Sequence, residues 1–147
     1  MNRRELLTNA AAMVAAVTAG RAFAAEHDHM QHDHEQKPNK YQMLLVSASD
    51  CMLKADICLQ HCIVAMGKGD KDLAACARSS SEVAAICIAL QHLASADSKQ
   101  LPQLAKVAMD ICKDCEDECK KTDKQPECRA CGEACAECYK ECKKISV

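Results

Sequence analysis

The stretch that decides the fold is Pro126-Glu-Cys128-Arg-Ala-Cys131-Gly-Glu-Ala-Cys135-Ala-Glu-Cys138-Tyr-Lys-Glu-Cys142-Lys-Lys144. Its five cysteines follow one another in steps of three, four, three and four. Residues three and four apart share one face of an α-helix, so these cysteines form a single stripe with the spacing of a buried face. Glu127, Arg129, Glu133, Glu137, Lys140 and Lys144 fall on the other side, which suits solvent. Between Pro126 and Lys144 there is no Leu, Ile, Val, Met or Phe. Cysteine, small alanines and Tyr139 are all that this helix has to bury.

Upstream, Cys112, Cys115 and Cys119 repeat the stripe on a helix expected from Leu101 to about Lys121. Pro102 suits its first turn, and Met109 is expected to extend the stripe one turn upstream. Cys76 and Cys87 lie 11 residues apart, close to three helical turns. Their helix is expected from about Asp70, as N-cap, to Ala94, with Ser80 and Val83 filling the positions between them. Cys51, Cys58 and Cys62 lie on a helix expected from Tyr41 to Met66, together with His61 and Met66. Short connections at Gly67-Lys68-Gly69 and Ser95 to Gln100 separate the first three helices. The pattern predicts an all-α fold over residues 41–147: an antiparallel up-down-up-down four-helix bundle with a cysteine-lined core.

Length agrees, since 147 residues fit one domain plus appendages. The 13 cysteines would usually signal a disulfide scaffold in a short secreted chain. But 13 is odd, which leaves a thiol unpaired, and the spacing is helical rather than loop-rich. A core in which cysteine acts only as a small hydrophobe would be underfilled, because bundle cores draw volume from Leu and Ile. The net charge of -2 and the lack of a basic patch with interleaved aromatics argue against nucleic acid as a partner. No Ser/His/Asp constellation is legible, and most carboxylates fall on outward faces, so an enzyme is not expected.

Met1 to Ala25 reads as an address rather than as fold. The pair Arg3-Arg4 precedes an Ala- and Val-rich run from Ala10 to Ala19, and Ala22-Phe23-Ala24 is a small-residue cleavage site. The order is that of a twin-arginine signal peptide, and the apolar run is too short for a stable membrane span. The expected destination is the periplasm or another extracytoplasmic compartment, with no stable span in the mature chain. Removing the leader takes three of the 19 basic residues and one of the 21 acidic ones, which leaves a net charge of -4. The twin-arginine route carries folded proteins, so the thiols can be buried or metallated before they meet an oxidising compartment. Residues 26–40, with His27, His29, His32 and His34, read as a disordered arm. The arm is either a solvated tail or a transient captor of Cu(II) or zinc.

Thiolate is a soft ligand that selects Cu(I), zinc or iron-sulfur clusters. An iron-sulfur cluster uses four cysteines and leaves nine unexplained. Cys112-x-x-Cys115 and Cys128-x-x-Cys131 approach a zinc signature, but each pair continues at helical spacing to Cys119 and Cys135. Cu(I) needs only two or three thiolates, so an i, i+4 pair makes most of a site. Four such pairs are available: Cys58/Cys62, Cys115/Cys119, Cys131/Cys135 and Cys138/Cys142. His61 and Met66 fall at the bundle end that also holds Cys76, Cys119 and Cys128, and metal is expected to enter there. The other end gathers Leu44, Leu45, Leu90, Leu93, Leu101 and Leu104. Met43 and Met109 are expected to pack, Met52 to point sideways and His92 to lie on the surface.

A twin-arginine leader, four helices and 13 cysteines at C-x-x-C and C-x-x-x-C spacing resemble the exported bacterial copper storage proteins. The resemblance implies a homotetramer of four-helix bundles. It also implies a core holding roughly one Cu(I) per cysteine, mostly in two-coordinate thiolate sites, for later supply to a copper enzyme. It places His and Met ligands at the open mouth, on His61 and Met66. The His-rich arm is not part of that family pattern. Two alternatives stand beside it. One is a metallothionein-like sponge that detoxifies zinc or copper. The other is a disulfide or redox protein working through Cys128 and Cys131, near the start of the last helix.

Overall fold

The computed structural model describes residues 39–146. The leader and nearly all of the His-rich arm lie outside the described residues. Four helices follow in chain order: α1 Gln42–Gly67, α2 Ala74–Ser95, α3 Leu101–Lys121 and α4 Pro126–Ile145. α1 packs on α2 and α4, and α3 packs on α2 and α4, so the helices run around the bundle in sequence order. Short connections force each helix to run antiparallel to the one before it, as the sequence predicts.

The connections are built from local chemistry. After α1, Gly69 takes φ +102, a left-handed conformation that costs glycine little. The amides of Lys68 and Gly69 then bond back to the carbonyls of Ala65 and Met66. Asp70 does act as a cap, its carboxylate accepting from the Asp72 amide at 3.3 Å. The element it caps is a single 3-10 turn, Lys71–Leu73, and α2 proper begins at Ala74. α2 ends with Asp97 at φ 48. The Ser98 amide bonds to the Leu93 carbonyl and the Asp97 amide to that of Ala94, the paired closure of a Schellman motif. Pro102 and Pro126 sit in the first turns of α3 and α4, where a missing N–H costs nothing.

Each helix buries one stripe at alternating steps of three and four. On α1 it is Leu44, Ala48, Cys51, Ala55, Cys58 and Cys62. On α3 it is Leu101, Ala105, Ala108, Cys112, Cys115 and Cys119. The strict seven-residue repeat keeps the stripe facing its neighbours along the whole helix. Ser80 and Val83 do fill α2 between Cys76 and Cys87, both fully buried. Two expectations need correction. The α3 stripe passes through Ala108, not Met109, because Met109 is one residue out of step and half-buried at the flank. There its sulfur accepts the Ser146 hydroxyl. Met43 does not pack, being 64% exposed.

Residues Lys71–Ser95 are long and apolar enough to cross a membrane by length and composition alone. Their Cys76, Val83, Cys87 and Leu90 instead line the protein core. The outward faces of α3 and α4 carry i, i+3 and i, i+4 ion pairs, such as Lys120–Glu116 and Lys144–Glu141, both at 2.6 Å. Pairs of this kind on exposed helix surfaces add about 0.2–0.5 kcal/mol each.

Candidate metal centre

All thirteen cysteines are buried and carry free thiols. Every cysteine expected on an inward stripe is there: Cys51, Cys58 and Cys62 on α1; Cys76 and Cys87 on α2; Cys112, Cys115 and Cys119 on α3; Cys128, Cys131, Cys135, Cys138 and Cys142 on α4. Four antiparallel stripes converge, so sulfurs distant in sequence become neighbours. Cys58 Sγ lies 3.5 Å from Cys76 Sγ and 3.6 Å from Cys128 Sγ. Cys76 Sγ is 3.7 Å from those of Cys119 and Cys128. Cys115 Sγ is 3.9 Å from Cys119 and 3.8 Å from Cys131. Cys51 Sγ reaches Cys135 at 3.8 Å.

These contacts form a file of sulfur along the bundle axis. Four groups have all their sulfurs within 4.8 Å of one another. They are Cys58, Cys62, Cys76 and Cys128; Cys58, Cys119 and Cys131; Cys115, Cys131 and Cys135; and Cys51, Cys112 and Cys138. The i, i+4 pairs Cys58/Cys62 and Cys131/Cys135 appear inside these groups. The completing ligand always comes from another helix.

Crowding divides the thiols into two kinds. Hydrogen bonds led by that from Cys119, with Cys76 adding to them, lower the Cys58 thiol to about 6. Bonds from Cys112, Cys142, Cys51 and Cys87 hold Cys138 well below the ordinary thiol range. The neighbours that donate are pushed the other way, as Cys142 is by its bond to Cys138 and by burial. Burial pushes Cys128 up to about 12. A redox nucleophile needs an exposed thiol of low pKa. Cys128 and Cys131 are both fully buried.

The two ends differ. Leu44, Leu90 and Leu101 are fully buried at one end, with Leu45, Leu93 and Leu104 packed against them half-buried. At the other end His61 and Met66 are half-buried. His61 Nδ1 lies 3.4 Å from Glu127 Oε2. His61 Nε2 is buried and has no hydrogen-bond partner among the described residues. Periodicity put Glu127 on the solvent face. It is instead half-buried, because the first turn of α4 packs against the last turns of α1. Ser80 is a second residue missed as part of the site: its hydroxyl lies 3.9 Å from Cys131 Sγ. Met52 points sideways, as expected, and its sulfur accepts from Gln91 Nε2 at 3.8 Å. His92 is exposed.

A buried file of thiolates in groups of three and four suits soft d10 cations. Comparison with known proteins points the same way. Residues 37–147 match the family model described as copper storage protein. Two solved structures are similar, each at 27% identity. One is apo copper storage protein 3 from Bacillus subtilis, with a TM-score of 0.64 over 72% of this chain and 98% of that one. The other is the Cu(I)-bound copper storage protein BsCsp3, with a TM-score of 0.65 over 74% of this chain and 100% of that one. None of the curated protein sequences matches. With its family model spanning the whole bundle, the chain belongs to the copper storage protein family.

Proposed function

We propose that this member of a copper storage family holds Cu(I) along its sulfur file, at roughly one ion per cysteine, through two- and three-thiolate sites. The observation that carries the reading is the thirteen free thiols, all buried, eleven of them gathered from four helices into groups of three and four sulfurs within 4.8 Å of one another. A file that needs thiolates releases protons as it fills. No catalytic step is required: a thiolate-saturated ion lacks the open position that metal catalysis uses. Stored copper passes to a copper-requiring acceptor.

Copper enters at the His61 and Met66 end, since leucines close the other. Both side chains are half-buried there, beside the mouth quartet. The bundle assembles as a homotetramer. In support, α1 carries a second apolar stripe on its outer face, Val46, Leu53, Ile57 and Val64, each 45–56% exposed. A contiguous exposed apolar stripe of that kind marks an interaction surface. The twin-arginine leader delivers the protein to the periplasm or a similar compartment.

The test is a titration of the reduced full-length protein with Cu(I) under nitrogen, against a competing Cu(I) chelator. Uptake on the order of 10–14 ions per chain is expected from soft-ligand selectivity over the whole file. Uptake of only a few ions would overturn the storage reading.

A further inference from the structure

The quartet at the mouth differs from the other three groups. Cys58, Cys62, Cys76 and Cys128 bring four sulfurs within 4.8 Å of one another, whereas each of the others has three. Four thiolates around a tetrahedral Zn²⁺ at the usual Zn–S distance of ~2.3 Å lie about 3.8 Å apart along each edge. The Cys58–Cys76, Cys58–Cys128 and Cys76–Cys128 edges are 3.5, 3.6 and 3.7 Å. Three of the sulfurs therefore stand nearly where one face of a tetrahedral site needs them, and the Cys62 sulfur lies within 4.8 Å of all three. A single Cu(I), content with two or three thiolates, does not need all four of these ligands at once.

The backbone adds to the fit. Cys128 is the third residue of α4. First-turn amides have no acceptor within their own helix, and the positive end of the helix dipole favours an anionic thiolate. Four thiolates on a divalent ion leave two excess negative charges, and Cys128 carries part of that charge in the first turn of α4. The zinc-like spacing in the sequence, Cys112, Cys115, Cys128 and Cys131, is not the set that converges. Only Cys128 belongs to both.

We propose that Cys58, Cys62, Cys76 and Cys128 form a site for one tetrahedral divalent d10 cation, Zn²⁺, separate from the three-thiolate groups that suit Cu(I). Binding exchanges thiol protons for the metal and leaves sulfur oxidation unchanged. Because Cys58 is shared with Cys119 and Cys131, zinc at the mouth and a full copper load exclude one another at that sulfur. A zinc-capped mouth thus has to be displaced before the file can fill.

The test titrates the reduced full-length protein under nitrogen with Zn²⁺ against a chromophoric chelator, and with Co²⁺ as a spectroscopic probe. One Zn²⁺ per chain should bind far more tightly than any second ion. The first Co²⁺ should show the intense visible bands and sulfur-to-metal charge transfer of a tetrahedral thiolate site. Cys76→Ser, Cys62→Ser and Cys128→Ser should each weaken that ion at least about 100-fold, more than the 10–100-fold typical of losing an outer-shell partner. Zinc spread evenly over several weak sites, an octahedral cobalt spectrum, or less than about tenfold loss in all three variants would overturn the proposal. A Cu(I) titration of the same preparations keeps the two readings apart. Full copper uptake without the single zinc site removes the zinc proposal alone, and the loss of copper uptake removes the storage reading.

Discussion

Gly132 on α4 faces Cys119 on α3 so closely that a β-carbon added to Gly132 would lie 3.1 Å from the Cys119 Cβ and 3.7 Å from the Glu116 carbonyl. The Cys119 Cβ is fixed to its own backbone, so the strain cannot be relieved by turning a side chain. α3 and α4 must move apart. Alanine is the better helix former by about 1 kcal/mol, but overpacking a tight contact costs about 1–3 kcal/mol. Gly132→Ala should therefore destabilise the apo protein by about 1 kcal/mol, a fall of roughly 4–8 °C in Tm for a domain of this size. A rise in Tm on calorimetry would show that the helices yield without cost.

Leu90 is fully buried at the closed end, away from the quartet. Leu→Ala in such a setting removes transfer energy and leaves a cavity, at about 2–5 kcal/mol. Leu90→Ala should lower the denaturant midpoint accordingly while Cu(I) capacity stays at the wild-type value. Capacity falling in step with stability would mean that the leucines shape the metal sites as well as the fold.

The division between leucine and sulfur was legible because each helix repeats its stripe every seven residues. On the inward stripe of α4 only cysteine and small residues were available, with Tyr139 and Ile145 packing at its flank. Legibility ended where a statement needed two helices at once. Cys51 meets Cys135 across 84 residues, and which turn of α1 faces which turn of α4 is set by packing, not by either helix's period. Glu127 shows the same limit, since its own helix marks it as outward and the end of α1 buries it. Met109 fails differently. Methionine looks like the natural core residue, yet the heptad through Ala105 and Cys112 runs through Ala108.

The thiol pKa values predict how apo stability depends on pH. Cys128 is raised from 9.0 to about 12. Its contribution is complete below pH 9 and is lost as the pH rises through about 12. Cys58 is lowered from 9.0 to about 6. Its contribution is present above pH 9 and is lost as the pH falls through about 6. Cys51, Cys62, Cys87, Cys112, Cys119, Cys135 and Cys142 are raised like Cys128, whereas only Cys115, Cys131 and Cys138 are lowered like Cys58. The apo protein should therefore lose stability steeply above pH 9. The Cu(I)-loaded protein, already deprotonated, should not. Thermal melts of both forms from pH 7 to pH 11 decide it, and a flat apo curve would contradict the assignment.

Cys58 belongs to two of the four sulfur groups, and Cys142 to none of them. Replacing Cys58 by serine should therefore cost more than its own share of the load, about two Cu(I), because two sites lose a thiolate that selects the soft ion. Cys142→Ser should cost at most one. Chelator-competed titrations of both variants test the sharing directly. Equal losses would mean that the ions rearrange freely along the file.

Ser80 offers the converse experiment. It lies on the inward stripe of α2 between Cys76 and Cys87, fully buried, with its hydroxyl 3.9 Å from Cys131 Sγ. Sulfur is only slightly larger than oxygen, so Ser80→Cys adds little volume, and substitutions that nearly conserve volume cost less than about 1.5 kcal/mol. The new thiol would stand beside Cys131, which already belongs to two three-thiolate groups. Here the chain places a hard hydroxyl donor in an otherwise soft file, and hard ligands do not select Cu(I). If capacity follows the number of thiols in contact, Ser80→Cys should bind about one more Cu(I) than the wild type, with no loss of helix content by circular dichroism. Unchanged capacity in a folded variant would mean that axial space, and not the count of thiols, limits how much copper the bundle holds.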